Sequence, residues 1–166
     1  MKKTVISLII IISVLCLTGL EINNVEAAVC DYEGYILLDV ERHGEAYYIF
    51  QGEKYYLGRP NDAFDIMRQL SLGISEENFQ SGFRQVNDIW QIYRVVNSAL
   101  YPHIAGRIVI RPHANGEAYY VDPGIAPDGY SAKYLGRPYD AFIIMTEYGG
   151  GAHSSTIDSI PDGSLI

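Results

Sequence analysis

Gly44-Glu45-Ala46-Tyr47-Tyr48 returns as Gly116-Glu117-Ala118-Tyr119-Tyr120, and Tyr56-Leu57-Gly58-Arg59-Pro60 returns as Tyr134-Leu135-Gly136-Arg137-Pro138. Asp62-Ala63-Phe64 and Ile66-Met67 come back in the same order as Asp140-Ala141-Phe142 and Ile144-Met145. That many matches in one order mark a tandem duplication, with copies beginning near Gly34 and Gly106.

Each copy reads as three strands and a helix. Tyr35 to Val40 is an apolar run, Glu41-Arg42-His43-Gly44 is a polar turn, and Ala46 to Phe50 is a second β-prone run. Gln51-Gly52-Glu53 turns the chain again, so Lys54 to Leu57 returns as a third strand. In copy two this turn is replaced by Asp122 to Ser131, where Pro123, Gly124, Pro127 and Gly129 lengthen a loop. Pro60 suits the first helical turn and Asp62 places a carboxylate at the positive helix end. Ala63, Ile66, Met67 and Leu70 follow at helical spacing, and Gly73 is the expected cap. Gly149-Gly150-Gly151 stops the second helix.

Ser75-Glu76-Glu77 opens another helix with a cap and first-turn acids. Val86, Ile89, Trp90, Tyr93 and Val96 share one helical face, which predicts a two-helix linker broken near Ser81-Gly82 and ended by Pro102. The tail, 153–166, reads as irregular. The segments are thus 1–27, a signal peptide; 28–74, repeat module one; 75–105, a helical linker; 106–151, repeat module two; and 152–166, the tail. The expected class is α+β, two β-meander-plus-helix repeats sharing one core, since neither is large enough to bury a core alone.

The stretch GEAYY…KYYLGRPNDAFDIMRQLSLGI resembles a tandem repeat of exported bacterial envelope proteins, of the form GEAWY…YYLGRPxDAFxIMRxLGLGI. The likeness covers Gly34 to Ile74 and, with gaps, Gly106 to Met145. Copy two departs by its inserted loop and by Thr146-Glu147-Tyr148 where copy one has Arg68-Gln69-Leu70. The resemblance implies an extracellular or envelope accessory module, sometimes attached to wall-acting enzymes. It carries over no functional residues.

The N-terminus agrees with export. Lys2-Lys3 precede an apolar run, Val5 to Leu20, and a mostly polar stretch leads to Val25-Glu26-Ala27, where small residues at −3 and −1 fit cleavage after Ala27. The alternatives are an uncleaved anchor, since the run approaches spanning length, and a lipoprotein, against which stands Leu15 before Cys16. Cleavage leaves Cys30 alone, so no internal disulfide can form and packing must hold the domain. Cys30 is then a free thiol or a bridge to another chain. The localisation expected is secreted or cell-surface.

The chain has 12 basic and 20 acidic residues, a net charge of −8. That balance, without a basic stripe, argues against nucleic acid and anionic lipid as partners. Fourteen tyrosines against 5 Phe and 1 Trp suit half-exposed sheets and recognition surfaces.

Candidate binding residues are those that recur. Arg59 and Arg137 stand at helix entrances, where a guanidinium can receive a ligand carboxylate or phosphate. Alternatively, each pairs with its own unit's Glu45 or Glu117, and this is the expectation. Tyr47, Tyr48, Tyr119 and Tyr120 must alternate across the sheet, and an outward ring beside Tyr56 or Tyr134 would make a stacking platform for a sugar or peptide. A covering helix is the plainer alternative. His43, His103, His113 and His153 match no zinc spacing, and His153-Ser154-Ser155 lacks a nucleophile motif. No cofactor, metal site or catalytic residue is expected. The function expected is a non-enzymatic exported module that binds a cell-envelope component or partner protein. The alternative is a small secreted hydrolase or hydrolase inhibitor with its site near residues 122–131.

Overall fold

The computed structural model describes residues 32–87, 92–124 and 131–165. The expected signal peptide, Cys16, Cys30, Ile89, Trp90 and the centre of the 122–131 loop lie outside the described residues.

From Glu33 onward the chain forms one compact unit. Copy one supplies β1 (Ile36–Asp39), β2 (Ala46–Phe50), β3 (Glu53–Tyr56), α1 (Pro60–Gln69) and a two-residue strand, β4 (Leu72–Gly73). Then come α2 (Glu76–Gly82), a hairpin of β5 (Phe83–Asn87) and β6 (Ile92–Val95), and α3 (Tyr101–Ile104). Copy two follows as β7 (Ile108–Arg111), β8 (Glu117–Val121), β9 (Ser131–Tyr134), α4 (Pro138–Tyr148) and β10 (Gly149–Ala152), closed by α5 (Ser154–Asp158). The fold is α+β, with two sheets and five helices among the described residues.

The last strand of each copy leaves it. β10 pairs parallel to β1, and β4 pairs parallel to β7. The registers are equivalent: Leu37 faces Gly150 and Val109 faces Leu72. Sheet one is therefore β10-β1-β2-β3, and sheet two is β4-β7-β8-β9-β6-β5. Each sheet contains a strand of the other copy, which makes the pair a reciprocal exchange about a pseudo-twofold axis.

Gly34 and Gly106 meet on that axis. Both have positive φ, 83° and 70°, and a Cβ built on Gly34 would stand 2.6 Å from the Gly106 Cα. Tyr48 donates its hydroxyl to the Gly106 carbonyl at 2.7 Å, and Tyr120 donates to the Gly34 carbonyl at 3.0 Å. The shared core extends from these tyrosines. Ile36, Leu57, Ala63 and Met67 of copy one mix with Ile108, Leu135, Ala141 and Ile144 of copy two, all with no exposed surface. Alternation in the strands and helical spacing in α1 and α4 direct these side chains inward. The expectation of one core holds.

The linker differs from expectation. The second helix predicted through Val86, Tyr93 and Val96 is a β-hairpin, with Val86 and Val96 exposed. β6 adds to β9, with Tyr93 opposite Ala132, so sheet extension prevailed over the helical spacing. The tail is also ordered. α5 packs on β1, Ile157 and Ile160 are buried, and Lys54 sits beside Asp162 in a parallel bridge. In alignment α5 takes the place that α2 has after copy one: Ile157 corresponds to Phe79, and both are buried. The duplicated unit is thus β-β-β-α-β-α, longer than the sequence suggests.

Candidate functional site

The two copies share a backbone plan, so a site unique to one must arise where their side chains differ. The outer faces are the first place to look. In copy two, Tyr119 and Tyr134 lie 5.5 Å apart between ring centroids. Phe79 from α2 and Tyr93 from β6 each come within 5.2 Å of Tyr119, closing that face. Tyr119 is buried and Tyr134 is half-buried. In copy one the same pair, Tyr47 and Tyr56, also has centroids 5.5 Å apart at a 50° tilt. Here Tyr56 is 55% exposed. Tyr48 and Tyr120 face inward at the axis. Of the six tyrosines singled out by recurrence, only Tyr56 is an open ring.

Arg59 and Arg137 do stand at the entrances of α1 and α4, exposed. The expected pairs with Glu45 and Glu117 are absent. Instead Asp62 accepts from the Arg59 amide at 3.2 Å, and Asp140 accepts from the Arg137 amide at 3.0 Å and its Nε at 3.3 Å. These aspartates cap the orphan N–H groups of each first turn. Glu117 is drawn away by Arg111, directly opposite on β7, at 2.6 Å.

Position 111 exposes a charge reversal. Its counterpart in copy one is Asp39, buried and opposite Glu45. Where Arg111 grips Glu76 and Glu117, Asp39 and Glu45 are like charges across a strand pair, a destabilising arrangement unless compensated. The compensation comes from α5 and the turn. Asp39 Oδ1 accepts from the Ser154 hydroxyl at 2.7 Å and the Glu41 and Arg42 amides at 3.1 and 3.2 Å. Asp39 Oδ2 has no hydrogen-bond donor among the described residues and lies 3.5 Å from Arg42 Nη1. Arg42 also forks onto Asp158. Glu45 is held within its local turn among the described residues, by its own amide, the His43 amide at 3.0 Å and the exposed His43 ring at 3.6 Å.

Ser154, His153, Glu41 and Asp39 hold the residue types of a hydrolase relay but a different wiring. His153 Nδ1 meets Glu41 at 2.9 Å while the Ser154 hydroxyl serves Asp39. The Ser154 amide also donates to Glu41 at 2.9 Å, so Ser154 joins both carboxylates and these bonds together clip α5 to the end of β1 and its turn. Asp39 is held below its ordinary value of 3.8 by Ser154, Glu41 below 4.5 by His153, and Asp158 below 3.8 by Arg42. His153 is raised above 6.5 by Glu41. The acids stabilise the clip above their unfolded values and release it as pH falls through the folded ones. His153 contributes fully below its unfolded value and is lost as pH rises through the folded one. Hydrogen-exchange protection of α5 should peak between about pH 5 and 6.5. Protection that keeps rising from pH 6 to 8 would remove His153 from the clip.

The inserted loop is pinned at both ends, with the Asp122 amide donating to the Ser131 carbonyl at 2.8 Å and both residues buried. Among the described residues no three His, Cys, Asp or Glu side chains gather as a metal site, and no helix is long and apolar enough to cross a membrane.

One cleft, about 510 Å³, opens between the β1–β2 turn, the start of α1 and the outer side of α4. Its walls include Gly44, Glu45, Tyr56, Phe142, Met145 and Thr146. A Cβ built on Gly44 would meet nothing within 4 Å. Of these residues the sequence singled out Tyr56 alone as a binding candidate, although Gly44, Glu45, Phe142 and Met145 also recur. Phe142 is 43% exposed and joins Tyr139 in a tilted pair at 6.4 Å. The sequence signal for Thr146 was its departure from Arg68 at the matching place in copy one. Comparison of the chain with protein-family models, with curated proteins and with solved structures finds no match.

Proposed function

We propose that this chain is an exported, non-enzymatic accessory module that binds a partner protein or cell-envelope component through the cleft between the β1–β2 turn of copy one and α4 of copy two. The open cleft beneath Tyr56 and Phe142 carries this reading. A concave site with exposed aromatic rings and a few polar groups is the usual form of a recognition site. The corresponding aromatic face of copy two is covered by the linker, and copy two contributes to the cleft through α4.

The test compares the wild-type protein with a Tyr56→Ala/Phe142→Ala variant for retention on isolated bacterial envelopes, and on sacculi stripped of protein. Both rings are substantially exposed, so the variant should keep its circular dichroism and melt within a few degrees of wild type. Retention of the wild type with at least tenfold loss in the folded variant supports the reading. Equal retention of both, or of neither, refutes it. Loss of retention on stripped sacculi alone points to a protein ligand.

A further inference from the structure

The matching place across the pseudo-twofold shows what the cleft lacks. Arg68 of α1 reaches across to the β7–β8 turn and donates from Nη2 to the Gly116 carbonyl at 3.1 Å. On the way its guanidinium lies 5.5 Å from the Phe64 ring centroid. A Cβ on Gly116 would stand 3.4 Å from that same Nη2, so the arginine fills the space beside the turn. The pseudo-twofold carries Arg68 onto Thr146, Phe64 onto Phe142 and Gly116 onto Gly44. Thr146 is too short to cross, and its hydroxyl turns back to the Phe142 and Ile143 carbonyls at 3.1 and 3.0 Å. Phe142 and the Gly44 carbonyl remain on either side of the open cleft, with no described donor on that carbonyl.

The electrostatics differ in the same sense. Glu117 is neutralised by Arg111, whereas Glu45 faces Asp39 and is held by amides of its own turn and the exposed His43 ring. An arriving cation would find an aromatic face, a carbonyl acceptor and, at the rim, a carboxylate that has no arginine or lysine partner among the described residues. Those are the partners a guanidinium takes: a planar fork that donates to oxygen and lies over a ring.

Resting on the reading of the cleft as a binding surface, we propose that it is a receptor for an arginine side chain presented by a partner protein. The incoming guanidinium lies near Phe142 and donates to the Gly44 carbonyl, as Arg68 does to Gly116 within the molecule. The volume exceeds one arginine side chain, which leaves room for the flanking residues of the partner segment.

The probe is acetyl-Gly-Arg-Gly-amide, titrated into the isotope-labelled protein and followed by amide chemical shifts, beside its citrulline twin. Citrulline keeps the shape and removes the charge. Saturable shifts at Gly44, Glu45 and Thr146 are expected, at least tenfold weaker for citrulline and weaker in high salt. Thr146→Arg should plug the cleft from within and abolish the response while the protein stays folded. Arg68→Thr should open the matching place in copy two and add a second set of shifts around Gly116. An arginine peptide that gives no saturable shift, a citrulline peptide that binds equally, or a Thr146→Arg protein that responds like wild type each overturns the assignment. If envelope retention still depends on Tyr56 and Phe142, such a result removes the arginine ligand alone. If retention is absent too, the binding-module reading falls with it.

Discussion

Gly106→Ala should cost about 4 kcal/mol or more, a large share of a total stability of roughly 5–15. The left-handed backbone at φ 70° already costs a side chain about 1–2 kcal/mol. Steric overlap costs more. A Cβ here would lie 2.5 Å from the Gly34 Cα and 2.9 Å from its carbonyl carbon and oxygen. These are backbone atoms, so no rotamer change can make room. Relief requires β1 and β7 to separate, which stretches both tyrosine–carbonyl bonds at the axis. Gly44→Ala is the matched control, with φ 77° and open space around it, and should cost only the backbone strain. Urea denaturation of the two variants measures the difference. If Gly106→Ala unfolds at the same urea concentration as Gly44→Ala, the back-to-back glycines do not hold the copies together.

The second large effect is expected from Tyr48→Phe combined with Tyr120→Phe. Each substitution keeps the ring and strips the donor from a buried carbonyl, at about 1–3 kcal/mol apiece. The two bonds cross one axis, so they should couple, and the double variant should depart from the sum of the singles. Burial raises both phenols above their ordinary value of 10.0, so both hydroxyls stay protonated and the losses should be constant from pH 6 to 9. A double variant that melts with wild type would show that the hydroxyls are incidental to the packing.

What the chain states openly is whatever side-chain periodicity encodes. β2 was readable to the residue because Ala46 to Phe50 is a short aromatic and β-branched run bounded by polar turns. The helix starts were readable because Pro60 and Asp62 suit one location and little else. β4 and β10 were hidden: Leu72-Gly73 is too short for a pattern, and Gly149-Gly150-Gly151 has no side chains to make one. Glycine is used there because β10 lies tight against β1, where a Cβ on Gly149 would meet Met145 and Leu38 below 3 Å. The β5–β6 hairpin deceived through spacing, since Val86, Tyr93 and Val96 fit a helical face equally well.

The site was obscured for a different reason. Recurrence selects what both copies need, and most of that is scaffold: Tyr48 and Tyr120 at the axis, and Arg59 and Arg137 where the helices begin. The cleft arises from departures, Thr146 against Arg68 and Asp39 against Arg111. Only the fold says that position 146 of one copy faces the turn of the other.

The exchange of β4 and β10 also sets a timetable. The pairing of Ile36 with Gly149 joins residues more than a hundred positions apart, so sheet one cannot complete itself while later parts of the chain are missing. Until residues 149–152 arrive, β1 has an unfilled edge, and the first copy can hold no finished structure of its own. Long-range closure of this kind slows folding relative to a chain of local contacts. On the proposed reading of the chain as exported, that delay keeps sheet one open for threading until its last strand is released.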